Sequence, residues 1–213
     1  TTTEVVTTTI TETSTETMTE SVAEKIDSES KKNEISDYSF GAYNILENTQ
    51  SKANVWFRKN ISWITECTYS DPYYSNVEHM VYKADSNNLK LFGVNWGWAE
   101  ISSRTTDDYV YDITFHFSYL DYDHYKKYNT GVHDRKQAEC DLAYKTMYEK
   151  LVDAYGEPTE VYEENDWAKY SCLWEDTNDG DIFAWDSKDE NGNGEAGLSF
   201  TVADFDFSTR ISR

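Results

Sequence analysis

Between Tyr109 and Tyr119 the chain alternates without a break. Tyr109, Tyr111, Ile113, Phe115, Phe117 and Tyr119 fall on one side, and Val110, Asp112, Thr114, His116 and Ser118 on the other. Period two over that length predicts a long β-strand with one buried face. A partner strand is expected over 89–102, with Phe92, Val94, Trp96 and Trp98 pointing one way and Gly93, Asn95, Gly97 and Ala99 the other. The loop 103–108 would close the two into a hairpin. The pattern then turns helical: Cys140, Tyr144, Met147, Tyr148, Leu151 and Tyr155 share one face of a helix predicted over 134–155. Asp134, with Gln137 three residues on, supplies a capping box; Gly156 suits the left-handed C-terminal position and Pro158 blocks continuation.

Three further strands are predicted after this helix. Segment 168–175 carries Tyr170, Cys172 and Trp174 on one face, 181–187 carries Phe183 and Trp185, and 196–204 carries Leu198, Phe200 and Val202. Ahead of the first hairpin the pattern is weaker. Val77, Met80, Val81 and Ala84 fit a short helix, and 55–64 fits a strand. Together these elements predict an α+β fold: an antiparallel β-sheet with one long helix, and a second short one, packed on one face.

The run Leu151-Val-Asp-Ala-Tyr-Gly-Glu-Pro-Thr159, followed by Trp167 and a β-meander, resembles exported α+β repeat domains of the β-lactamase inhibitory protein and small outer-membrane lipoprotein type. The resemblance spans 134–204. It implies a helix, a Tyr-Gly-x-Pro turn and a sheet, a unit that occurs twice in the tandem members. Here 77–84 with the strands at 89 and 109 would be the first copy, although it lacks the Tyr-Gly-x-Pro turn.

Aromatic residues divide the chain. None of the first 35 residues is Phe, Tyr or Trp, whereas the remainder holds 7 Trp, 17 Tyr and 9 Phe. The first 20 residues include 11 Thr, and a tract of Thr, Ser, Glu and Lys has too little apolar surface to offset its ordering entropy. Residues 1–35 are therefore expected to form a disordered stalk or linker, and 36–213 a single domain. Of the net charge of −21, the stalk carries 8 acidic and 3 basic residues. The domain's own excess of carboxylates repels phosphate backbones and anionic membranes, which argues against nucleic acid as a partner.

No run of about 20 apolar residues is present to span a bilayer. The sequence begins with Thr1 rather than Met, which fits either a processed mature chain or a trimmed one, an export signal or lipid anchor having been lost. The expected location is extracellular or attached to the cell envelope. Cys67, Cys140 and Cys172 lack metal-site spacing, and a bridge between Cys140 and Cys172 is left open.

Catalytic signatures are missing from the sequence, and no cofactor is implied. His79, His116, His124 and His133 are scattered, and His116 is placed on a solvated polar strand face beside Asp112, Thr114 and Ser118. Asp189-Glu-Asn-Gly-Asn-Gly194 matches the first half of a calcium loop, making Asp189, Asn191 and Asn193 candidate ligands. Phe200 replaces the bidentate Glu at the twelfth position, so a hairpin turn is the competing reading. Trp96 and Trp98, two residues apart, suit either a small stacking platform or core packing. Tyr73 and Tyr74, in a loop beside Pro72, are candidate contact residues.

The function expected from the sequence is thus a non-catalytic, surface-presented domain that recognises a protein or glycan partner through aromatic side chains. A carbohydrate-active enzyme or carbohydrate-binding module is the alternative.

Overall fold

The computed structural model describes residues 41–42, 45–60, 63–71, 74–84, 89–128, 131–164 and 168–202. The expected stalk and Tyr73 lie outside them. The elements in chain order are α1 (Gln50–Asn60), β1 (Trp63–Ser70), β2 (Val77–Ala84), β3 (Leu89–Leu91), β4 (Val94–Trp96), β5 (Trp98–Arg104) and β6 (Val110–His116). After these come α2 (Tyr122–Tyr128), β7 (Arg135–Lys136), α3 (Gln137–Tyr155), β8 (Glu160–Tyr162), β9 (Ala168–Thr177), β10 (Gly180–Lys188) and β11 (Asn193–Thr201). The fold is α+β, with three helices and a sheet of antiparallel pairs.

Eight strands run in the order β1-β2-β5-β6-β11-β10-β9-β8, and β7 adds to β11. Each half of this order is a meander, and the last strand of each, β6 and β11, pair at the centre through Leu198 opposite Phe115 and Phe200 opposite Ile113. The inner face of the sheet holds the main core. Tyr82, Ile101, Tyr111, Ile113, Phe115, Leu198, Phe200 and Ile182 meet Ala53 and Phe57 of α1 and Cys140, Ala143, Met147 and Leu151 of α3. Helix α3 lies against β10 and β11.

Several expected elements move. Segment 77–84 is a strand, not a helix. It sits between β1 and β5 with Val81 and His79 buried on one side and Tyr82 on the other, so apolar residues on both faces imitate a helical spacing. The helix ahead of the first meander is instead α1, most of which falls where a strand was expected. Its inward positions Ala53 and Phe57 are four apart, and Phe57 stacks on Tyr82 at 4.8 Å.

The expected strand over 89–102 is broken twice. Phe92 and Gly93 both take positive φ, 48° and 74°, forming the two-residue turn of the β3–β4 hairpin. Burial of the Phe92 ring against Phe200 and Tyr155 offsets the strain of a left-handed phenylalanine. Gly97 then carries the chain into the main sheet so close to the Ser118 carbonyl that a Cβ would stand 2.2 Å from its oxygen. That crossover separates the two tryptophans. Trp96 enters the inner core and donates from its indole to the Leu91 carbonyl, whereas Trp98 lies on the outer face with Val81, Leu120 and Tyr125. Both are fully buried, so they form no solvent-facing platform.

Helix α3 begins later than its sequence suggests. Asp134 accepts from the Tyr119 backbone amide instead of capping, and Glu139 accepts from the backbone N–H of Lys136, the residue flanking the helix. Its C-terminus ends at Gly156 as expected, but with φ 83° and ψ −168° the glycine takes an extended positive-φ conformation instead of the left-handed helical one. Cys140 and Cys172 are both free, buried thiols, and Tyr144 donates to Cys172 Sγ. No helix among the described residues is long and apolar enough to cross a membrane.

Candidate functional site

The hydrogen-bonding register puts one row of side chains across the outer face of six adjacent strands. Trp98 pairs with His116, His116 with Gly197, Gly197 with Trp185, Trp185 with Ser171, and Ser171 with Tyr162. A parallel row runs from Glu100 through Thr114, Ser199, Phe183 and Leu173 to Glu160. The two ends of these rows have different surroundings.

At the β5–β6 end the face is covered by α2, whose Tyr125 packs edge-on to Trp98 at 5.5 Å and donates to Glu100 Oε2 at 2.6 Å. Beneath this cover His116 is buried, not solvated. Its ring stacks on Trp98 at 3.6 Å with the planes 4° apart, Nδ1 meets Glu195 Oε1 at 2.8 Å, and Nε2 stands 3.9 Å from Glu100 Oε1. Ser118 donates to the same Glu195 oxygen, and His133 Nε2 lies 3.7 Å from the other. Burial disfavours an imidazolium, yet the Glu195 charge and the contacts to both carboxylates outweigh it and hold His116 up at about 9. Burial likewise works against both carboxylates, and the imidazolium wins again: Glu100 is held at about 2 and Glu195 is lowered. At neutral pH the group is an imidazolium clamped between two carboxylates over an indole face. The ion pair and the stacked indole fix His116 in place between β5, β6 and β11.

At the β10–β8 end no helix covers the face among the described residues. Tyr162 packs edge-on to Phe183 at 6.2 Å, and Phe183 stacks with Trp185 at 5.7 Å. Tyr162 is 39% exposed, and Phe183 and Trp185 are partly exposed. The Trp185 ring lies over Gly197, where an added Cβ would come within 2.0 Å of its Cζ2. Glycine there lets the indole lie flat and reach His116, to which it is T-shaped at 6.3 Å. Gly197→Ala should therefore swing Trp185 off the sheet and cost about 1–3 kcal/mol by overpacking. Urea denaturation and the indole emission maximum would check this, and an unchanged midpoint would refute the close fit.

The residues singled out from sequence lie elsewhere. Tyr74, 47% exposed, sits in the β1–β2 connection, at the opposite end of the sheet from the open half. Asp189 is occupied in the turn between β10 and β11, its Oδ1 accepting from the backbone amides of Asn191 and Asn193. That is the hairpin-turn role; Phe200, at the twelfth position of the loop, is buried in the inner core. Asp189 also lines an open cleft of about 600 Å³ with His124, Tyr128, Gly131 and His133. Among the described residues no group of three or more His, Cys, Asp or Glu converges as a metal site.

Phe183 and Trp185 were legible in part. The hairpin turn sets the register that places Trp185 opposite Gly197, a large ring facing a missing side chain. What the sequence lacks is any sign that α2 stops short of them. Comparison with protein-family models, curated proteins and solved structures gives no match.

Proposed function

We propose that this is a non-catalytic binding domain, exported or displayed at a cell surface on its Thr-rich stalk, that engages a protein or glycan partner through the open outer face. The observation that carries this reading is the ladder of Tyr162, Phe183 and Trp185 in contact across β8 to β10 with partly exposed rings. Amphipathic aromatics in that setting supply large contact area with little entropy to lose. The architecture supports the exported repeat type as well. Each half-sheet is a meander preceded by a helix, α1 before β1 and α3 before β8, which fits two helix-plus-sheet units meeting at β6 and β11.

The test is a panel of glycans and envelope proteins screened against the full chain, with Trp185→Ala and Tyr74→Ala compared. Trp185→Ala should weaken the strongest hit by about tenfold or more, as truncation of a central aromatic anchor does, while Tyr74→Ala leaves it unchanged. Loss of binding only in Tyr74→Ala would move the site to the β1–β2 connection.

A second reading, a carbohydrate-active enzyme or module, draws on Asp112. Burial pushes its carboxyl up to about 6 on the same sheet face, with Thr114 and Thr201 donating to it. Glycan hydrolysis abolished by Asp112→Asn would favour that reading over the first.

A further inference from the structure

The open half-face carries charge in a definite arrangement around its rings. Glu160 shares the Leu173 side of the sheet, next to Tyr162 along β8; Glu175 follows Leu173 by two positions on β9; and Asp181 precedes Phe183 by two on β10. Alternation along each strand puts these carboxylates on the same side as the aromatics. The Tyr162 phenol registers them: its hydrogen bond to Glu160, then partial burial, then the Glu160 and Glu175 charges hold it up at about 12. None of the outward strand positions of this half, from Glu160 to Thr201, is Lys or Arg. The strand lysines nearest to it are engaged, Lys169 by Asp141 and Lys188 by Glu164. The strip is thus aromatic along its middle and negative along its border, on a chain of net charge −21.

We propose that the occupant of this strip is a basic, arginine-bearing segment of a protein partner, with guanidinium planes lying on Phe183 and Trp185 and their charge met by Glu160, Glu175 and Asp181. The inference rests on the reading of the open face as a binding surface and narrows the partner it takes. A guanidinium is planar, weakly hydrated and able to stack on a ring while donating sideways to a carboxylate, whereas an ammonium is a compact hydrated charge that uses only the border. A neutral glycan could stack on the rings, but it would have to desolvate three carboxylates without offering a compensating charge. The long-range field of the domain speeds encounter with a cationic segment and repels acidic ones.

The experiment is fluorescence anisotropy on the full chain with labelled Arg/Gly and Lys/Gly alternating peptides of equal length and charge, and a neutral β-glucan oligosaccharide as competitor. The Arg peptide should bind, and the Lys peptide should bind about fivefold or more weakly because it forgoes stacking. The triple variant Glu160→Gln, Glu175→Gln, Asp181→Asn should weaken the Arg peptide about tenfold or more. Asn at 181 keeps the oxygen that accepts from the Asp176 amide, and thermal melting confirms that the variant folds. A control triple of equal charge change, Asp123→Asn, Glu149→Gln and Asp153→Asn, should change binding by less than about twofold.

Equal weakening by both triples, or equal affinity for both peptides, would reduce the effect to diffuse electrostatics and overturn the proposal. Binding of the glucan but not of the Arg peptide, lost in Trp185→Ala, would overturn it while leaving the open face as the binding surface. If no probe binds in a way that Trp185→Ala alters, both readings fall.

Discussion

Raising the pH from about 5.5 to about 9.5 should lower the urea midpoint of this protein continuously, with His116 responsible for the alkaline part. Its folded pKa, about 9, lies above the ordinary 6.5, so the stabilisation is fully present below 6.5 and is lost as pH rises through about 9. The shift corresponds to on the order of 3 kcal/mol. Asp112 and Asp186 add to the fall at lower pH. Burial raises Asp112 to about 6, and burial with a hydrogen bond that the protonated acid donates to the Asp141 carboxylate raises Asp186 to about 7, both from 3.8. For a carboxyl with a raised folded pKa, the folded state binds the extra proton, so stability declines as pH climbs from the unfolded value through the folded one. Glu100 and Glu195 have the opposite sign. Their contribution is present above 4.5 and disappears only as pH falls toward their lowered folded values, which places the acid limb well below the measured window. A His116→Gln variant should lose the part of the fall that lies between about pH 8 and 9.5, above the folded pKa of Asp186. A wild-type profile flat over the same interval would show that the imidazolium is not clamped as described.

Glu195→Ala should be the most destabilising single truncation of a polar side chain in the protein, costing about 3–5 kcal/mol. The methyl leaves the buried His116 with only the longer contact to Glu100 and removes the acceptor of Ser118. Domains of this size have on the order of 5–15 kcal/mol in total, so the variant should approach the limit of folding at 37 °C. Glu195→Gln, which keeps an oxygen for Ser118 but gives up the charge, should fall between the wild type and Ala. Equilibrium urea titration of the three proteins would rank them. A cost for Glu195→Ala within the range of a surface substitution, about 0.5 kcal/mol, would mean that the cluster is solvated and the outer face uncovered there.

That cluster also marks where reading the sequence stops. His116 was placed on the correct face of β6, beside Asp112 and Thr114, because period two is a local property of the backbone. Its burial was missed, since the cover comes from α2, a seven-residue helix with a single buried side chain, Tyr125. The mistake at 77–84 has the same origin, because a strand buried on both faces has no alternation to read. Trp96 and Trp98 were paired by counting, and the crossover at Gly97 put them on opposite faces. Of the open face, Phe183 and Trp185 were assigned to the right strand without any indication that they face outward.

By itself the sequence determined the features that depend on neighbours along the chain. These are the helical stripe of α3 with its Gly156 stop, the β5–β6 hairpin, strands β9 to β11 though not the short β8 before them, and the contrast between a Thr-rich tract and an aromatic domain. Tertiary structure alone decided which strand faces are covered and which meet solvent, because that depends on elements far apart in sequence arriving at the same surface. Glu195 reaches His116 from 79 residues away, and Trp185 lies flat only because Gly197 stands opposite it. Pattern along the chain specifies two sides of a strand; what packs on each side is a matter of three-dimensional excluded volume, which no local periodicity encodes.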